Sequence, residues 1–387
     1  MSGWKTFRVG DLVEPVKSWN PLRSEPDDTF LYVDLSAVDQ SLKRIVGARE
    51  VPCAEAPSRA KQLVKANDVL VSTVRPNLNG VAQVGQELDG STASTGFCVL
   101  RPRADLLSSS YLFHWVKTEQ FIADMVRKAT GASYPAVSDK TILESTIAAP
   151  PIAEQRRIAA ILDQADALRA KRREALEQLD NLTQSIFMEM FGDPSLYPGT
   201  SLGGVCELIT DGTHQTPTYA DTGTIFLSAK NVTSGYIDWE NIKYIPQSLH
   251  IELHRRLAPK VGDILLAKNG TTGVAAIVDR DCIFDVYVSL ALLRPKHDVL
   301  PSYLLGAINS PICKKQFNES LKGIGVPNLH LKEIRATKIP MPPMQVQQKF
   351  AKRMAAVEIQ KNVCRTALIE HDALLVSLQH RAFRGEL

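Results

Sequence analysis

No apolar run in this chain approaches the roughly 18 residues that a membrane-spanning helix needs, and no membrane partner is expected. The opening Met1-Ser2-Gly3-Trp4-Lys5 lacks the basic, then apolar, then small pattern of a secretory signal, so a cytoplasmic protein is the expectation. The six cysteines, Cys53, Cys98, Cys206, Cys282, Cys313 and Cys364, are scattered singly with no C-x-x-C pair. Redox dithiols and clustered zinc sites need close spacing, so free thiols are expected. No G-x-x-x-x-G-K-[ST] loop, no G-x-G-x-x-G, no H-E-x-x-H and no N-P-P-[FY] methyltransferase motif occurs. Neither a catalytic residue nor a metal ligand is assigned. His250 and His254 stand at i and i+4 in a polar stretch and are read as surface histidines. Net charge is only +3, so any nucleic-acid binding must come from basic groups gathered on a face, or a partner must supply some of them.

What is present is ordinary in amount and unusual in arrangement. With 387 residues, 22% charged and 44% hydrophobic, the chain can form two or three soluble domains. Self-similarity organises it. Residues 147–158 read IAAPPIAEQRRI and 339–350 read IPMPPMQVQQKF. At an offset of 192 residues, Pro150-Pro151 falls on Pro342-Pro343, Gln155 on Gln347, and Ile158 on Phe350. The same offset carries Tyr111-Leu112 onto Tyr303-Leu304, Gly131 onto Gly323, Pro135 onto Pro327 and Phe191 onto Phe383. Asp68-Val69-Leu70 matches Asp263-Ile264-Leu265, and Leu100-Arg101-Pro102 matches Leu293-Arg294-Pro295, with small insertions between the copies.

Each copy opens with alternating, strand-like runs separated by Gly/Asn/Pro turns such as Pro76–Gly80 and Asn269–Gly273. Short helices are expected around Ser110–Lys128 and Ser302–Ser320. A long helix then begins after the double proline, where fixed φ and an extended predecessor favour a helix start. The first runs from about Ala153 to Met190 with no internal Gly or Pro and stops at Phe191-Gly192-Asp193-Pro194. Its spacing predicts a coiled-coil seam through Ile158, Ile161, Leu168, Leu179, Leu182 and Ile186. The second, from about Gln345 to Phe383, has a weaker seam through Phe350, Met354, Val357, Cys364, Leu368, Leu375 and Leu378. A helix this long cannot bury its stripe on one small domain, and its own duplicate is the nearest partner.

In this order, the features resemble a type I restriction–modification specificity (S) subunit over essentially the whole chain. The carrying residues are Leu202–Glu207, Ile209-Thr210-Asp211-Gly212-Thr213-His214-Gln215-Thr216-Pro217, and the twin Pro-Pro-x-x-x-Gln segments leading into long helices. The resemblance implies an α+β protein. Two mixed α/β target recognition domains (1–149 and 193–340) would be joined by two spacer helices (150–192 and 341–387), packed as an antiparallel intramolecular coiled coil with pseudo-two-fold symmetry. It implies double-stranded DNA as ligand, each domain reading half of a split, asymmetric target. Two methyltransferase subunits, and restriction or translocase subunits, would be partners. Catalysis, with S-adenosylmethionine, ATP and Mg, would belong to those partners, leaving this chain without cofactor. A helix of about 38 residues spans roughly 57 Å at 1.5 Å per residue, enough to set two readers about one 34 Å helical turn of DNA apart. The copies differ where Glu14–Pro21 stands in place of the DGTHQTP stretch, as expected if they read different bases.

Loop residues able to reach base edges or phosphates are Lys17, Trp19, Asn20, Arg75, Asn77, Asn79, Ser133 and Tyr134 in the first copy. In the second they are Thr213, His214, Gln215, Lys230, Asn231, Lys268, Asn269, Thr271, Lys322 and Asn328. Each also reads as an ordinary turn residue. Gly80, Gly131, Gly273 and Gly323 are assigned to backbone geometry. Lys171-Arg172-Arg173 beside Glu174 and Glu177 reads as a solvated helix flank. A protein–protein scaffold with duplicated helices is the alternative function. A self-contained enzyme is disfavoured by the missing motifs.

Overall fold

A computed structural model describes residues 4–25, 27–321 and 327–387. They form two compact units, one from the residues up to Arg172 with Thr366–Leu387, the other from Arg173–Arg365. Both helices expected to be long are long, Ile152–Phe191 and Met344–Ala382, and each contributes one part to each unit.

The first unit holds two four-stranded sheets. One orders the strands Val13–Glu14, Phe97–Pro102, Val69–Ser72 and Val81–Gln83; the other orders Arg49–Pro52, Thr29–Val33, Thr92–Ser94 and Ala60–Leu63. The central Val69–Ser72 strand is an almost continuous aliphatic run, so both its faces are covered: Val69 and Val71 enter one core, Leu70 another. The single helix expected near Ser110–Lys128 is two, Ser109–Trp115 and Glu119–Lys128. Thr118 breaks the run by capping the second, its Oγ1 accepting from Phe121 N at 3.3 Å. The strand pair Thr6–Arg8 and Thr146–Ala148 then closes the unit where the long helix departs.

The second unit repeats this plan. A sheet ordered Cys206–Asp211, Leu290–Pro295, Ile264–Ala267 and Ala275–Ile277 is accompanied by a three-stranded sheet of Lys243–Ile245, Thr224–Leu227 and Phe284–Val286. Two helices, Pro301–Asn309 and Pro311–Ser320, follow, and Gly199–Ser201 pairs with Lys338–Pro340.

The repeated sequence anchors are the joints of this plan. In the first unit Arg101 Nε and Nη2 grip Asp68 Oδ1 and Oδ2 at 2.9 and 2.8 Å, and Nη2 also donates to Leu63 O at 3.0 Å. In the second, Arg294 grips Asp263 at 2.8 and 2.7 Å and donates to Ala258 O at 2.9 Å. Both carboxylates are buried, and a bidentate guanidinium is the partner that matches such a group. The glutamine of each Pro-Pro-x-x-x-Gln segment ties helix to domain. Gln155 Oε1 accepts from Ser108 N at 2.9 Å while Nε2 donates to Leu106 O and Pro150 O. Gln347 does the same with Leu300 N, Asp298 O and Pro342 O.

Within each unit the helix segments run antiparallel. In the first, Arg157 Nη2 donates to Leu387 O and Arg169 pairs with Asp372, while Ile158, Leu162 and Ala165 share a core with Leu375 and Ala382. Phe383, at the end of the second helix, meets Tyr111 with ring centres 5.0 Å apart. In the second unit Asp180 pairs with Lys361 at 2.7 Å, and Phe187, Phe191, Tyr303 and Phe350 form an aromatic cluster. Each helix therefore starts anchored by its glutamine in one unit and ends anchored by a phenylalanine in the other.

The seam of the first helix differs from expectation. Ile158 is buried and Leu179 and Ile186 are half-buried, but Leu168 and Leu182 are 46% and 45% exposed. The second column of inward positions lies one residue further on, at Leu162, Arg169, Leu176, Thr183 and Met190, with Ile161 only half-buried. Ile161-Leu162 fits either phase as sequence. The globular domain decides, because the helix must cover Leu107 and Tyr111 as well as its partner helix. In the second helix Phe350, Val357, Cys364 and Leu375 are buried, and Met354, Leu368 and Leu378 half-buried.

Candidate nucleic-acid interface

In each unit, the loop after the strand carrying the buried Asp meets the loop after the second short helix. In the first unit, Arg75 and Asn79 both take positive φ, +50° and +45°, around a short 3-10 turn, Pro76–Leu78. Positive φ is costly for non-glycine residues and concentrates at functional turns. Arg75 N donates to Pro135 O at 2.7 Å, and the Arg75 guanidinium lies 4.8 Å above the Tyr134 ring. Tyr134 is 68% exposed. Arg75, Asn77, Ser133 and Tyr134 thus share one exposed two-loop patch. Gly131 at φ +100° turns its second loop, where a Cβ would press on Tyr134 O at 3.0 Å.

Lys17, Trp19 and Asn20 belong to another segment, bound along residues 61–63 by Trp19 N to Lys61 O and Leu63 N to Lys17 O. Lys17 and Asn20 are exposed. Trp19 is half-buried against Phe30, and its Nε1 donates to Thr92 Oγ1 at 3.0 Å. Its indole serves packing at least as much as contact. Lys43 went unnoticed in the sequence. At φ +54° its Nζ reaches Asn79 O, and burial, helped by the nearby Lys117 charge, pulls its pKa down to about 8.

The second unit gathers three loops. Gly212 approaches so closely that a Cβ would run into the Val286 carbonyl, which lets Thr213 N donate to Val286 O at 3.1 Å and Val288 N to Thr213 O at 3.0 Å. Asp211 beside it is buried and holds Lys268 Nζ at 3.1 Å and His214 Nε2 at 3.4 Å. Asn269 bridges Asn328, Gly270 N donates to Pro327 O, and Leu329 N to Lys268 O. The Oδ1 atoms of Asn269 and Asn328 have no hydrogen-bond partner among the described residues. His214, Gln215 and Thr271 are exposed at this junction, and Thr213 is half-buried. Tyr219, exposed with Lys243 Nζ 4.0 Å from its ring centre, was not singled out in the sequence. Neither residue sits in a turn motif.

Three expected contacts are corrected. Asn79 is buried with Nδ2 donating to Val116 O at 3.1 Å. Asn231 is buried as part of a capping box, its Oδ1 accepting from Ser228 N and its Nδ2 donating to Asn241 O. Lys268 is buried against Asp211. All three are buried with donor groups engaged by the chain's own backbone or charge, so they shape loops rather than stand exposed to a ligand. Lys230 is exposed. Lys322 and Gly323 lie outside the described residues.

The histidines also need correcting. His250 is buried, not on the surface, and together with His254 on helix Gln247–Arg256 it meets the buried Asp285. The sequence shows the i, i+4 spacing, but nothing local points to a carboxylate about 30 residues on. Among the described residues, no helix is long and apolar enough to cross a membrane.

This architecture has relatives. The chain is 22% identical to the type I restriction enzyme MjaVIII specificity subunit of Methanocaldococcus jannaschii over 92% of its own length and 86% of the relative's. It is 23% identical to the EcoKI specificity subunit of Escherichia coli K12, over 85% and 76%. A chain from a solved structure concerned with complex assembly and conformational transition of the type I R-M system matches with a TM-score of 0.57 at 26% identity. That match covers 100% of this chain and 99% of the other. The model of the type I restriction modification DNA specificity domain matches twice, at residues 1–178 and 200–370. The chain therefore belongs to the type I restriction–modification specificity subunit family.

Proposed function

We propose that this chain is the DNA-reading subunit of a type I restriction–modification complex, each unit recognising one half of a bipartite, asymmetric target. One observation carries the reading. The two units share sheets, buried Asp–Arg pairs and glutamine-anchored helices, yet present unlike loops at the equivalent place. Arg75 and Tyr134 stand in one, His214, Gln215 and Thr271 in the other. A shared scaffold with divergent loops suits the reading of two different half-sites; a simple scaffold protein has no need for the divergence. The duplex would be held by phosphate contacts and read by base-edge contacts. Two methyltransferase subunits, and translocating nuclease subunits where restriction occurs, would supply S-adenosylmethionine, ATP and Mg chemistry. The chain itself would be non-catalytic, act in the cytoplasm, and serve as the spacer.

Arg75 is a cation over an exposed aromatic face and gives the sharpest local test. Arg75→Ala with Tyr134→Ala should weaken specific duplex binding by about 10-fold or more, as loss of a base or stacking contact costs about 1–3 kcal/mol. Recognition should relax in one half-site only, and the slope of affinity against salt should fall by at most about one phosphate's worth. Affinity and half-site preference unchanged in the double variant would remove this patch from the interface.

A further inference from the structure

Helix Gln247–Arg256 lays two histidines, one turn apart, against strand Phe284–Val286. His250 Nδ1 lies 2.7 Å from Asp285 Oδ2, and His254 Nδ1 lies 3.5 Å from Oδ1 of the same carboxylate. The two imidazole rings are 4.8 Å apart. One ligand atom from each of the three side chains falls within 4.8 Å of the others. His250 and Asp285 are 8% and 2% exposed. The buried atoms His254 Nδ1 and Asp285 Oδ1 face each other at that 3.5 Å, too far for a good hydrogen bond, and have no other hydrogen-bond partner among the described residues. Buried polar atoms so weakly matched cost free energy unless something else satisfies them.

We propose that His250, His254 and Asp285 bind one divalent first-row metal ion of the zinc class. Two imidazoles and a carboxylate are the donors that such an ion selects over calcium or magnesium. Metal–ligand bonds of roughly 2.1 Å in a tetrahedron put ligand atoms about 3.4 Å apart. His254 and Asp285 already stand at that separation. His250 would exchange its direct hydrogen bond to Asp285 Oδ2 for the metal. Three protein ligands leave the fourth position for water. The ion would clamp the helix to its strand.

The clamp has a consequence for the loop above it. Val286, next to Asp285, accepts from Thr213 N, and Arg256 on the same helix donates Nη2 to Asp211 O at 2.8 Å. The metal would therefore fix both elements that hold the Asp211–Gln215 segment. The site stands on its own geometry and does not depend on the DNA-reading function.

The test uses the full-length chain stripped with a chelator and titrated calorimetrically with ZnCl2, without DNA. The expected result is one tight equivalent per chain, and a rise of about 5–10 °C in melting temperature at a hundredfold excess over Kd. His254→Ala, at a half-buried position, and Asp285→Asn, which keeps size and polarity, should each lose that equivalent while retaining the far-ultraviolet circular dichroism of the parent. Cys282→Ser should keep it, which separates this site from adventitious binding by the thiol just before Asp285 in sequence. No saturable uptake by the parent chain would overturn the proposal, whatever the variants do. So would zinc binding by folded His254→Ala or Asp285→Asn as tight as the parent's.

Discussion

Four residues inserted between Ala165 and Leu179, with four inserted opposite them in the second helix, should widen the unspecified gap of the methylated target by about one to two base pairs. Both half-sites should stay as they were. Four residues lengthen a helix by about 6 Å, and successive base pairs are about 3.4 Å apart. The insertion point lies away from the terminal anchors, since Gln155 and Phe383 hold one unit and Phe191 and Gln347 the other. Sequencing of methylated bases in cells carrying the lengthened chain reads the outcome. A gap of unchanged length with full methylation would end the spacer assignment.

Asp263→Ala should be the most destabilising single change away from the loops. It leaves the half-buried Arg294 guanidinium with only the exposed Glu207 carboxylate, 4.0 Å from its Nε, and removing one partner of a buried pair costs on the order of 3–5 kcal/mol. For a unit of this size that is a fall of roughly 10 °C in its melting temperature. Asp68→Ala should do the same to the first unit, where Arg101 would be stranded. Replacing both members at once, Asp263→Leu with Arg294→Met, should recover most of the loss, because no uncompensated charge remains. Scanning calorimetry of the full chain distinguishes these outcomes. A single replacement that melts within 2 °C of the parent would show that the pair is not a joint of the fold.

Much of this was legible because duplication turns local signals into paired ones. Asp68 with Arg101, or the glutamine after two prolines, means little alone. Occurring twice in the same order, they marked the repeat, and the structure shows these residues to be its ion pairs and helix anchors. The long helices were readable for a related reason: a long 3–4 stripe after a double proline, closed in the first copy by Gly192-Asp193-Pro194, leaves few alternatives. The phase of the first stripe was not readable. Ile161 and Leu162 are both aliphatic, and the domain face that selects Leu162 comes from Leu107 and Tyr111, about 50 positions earlier. Which loop residues stand exposed was not readable residue by residue. Asn79, Asn231 and Lys268 have the chemistry of base or phosphate contacts, yet turn geometry and Asp211 claim their polar groups first. The His250–His254–Asp285 cluster was invisible for the plainest reason. Its carboxylate arrives from another strand, and sequence spacing carries no record of that meeting.

That the chain reads DNA for a methyltransferase is tested most directly by mapping base methylation across the genome of cells with and without it. The account predicts that one bipartite motif, with two unlike half-sites and a fixed gap, loses methylation when the chain is removed and regains it when the chain is restored. Methylation identical at every motif in both cells would contradict it.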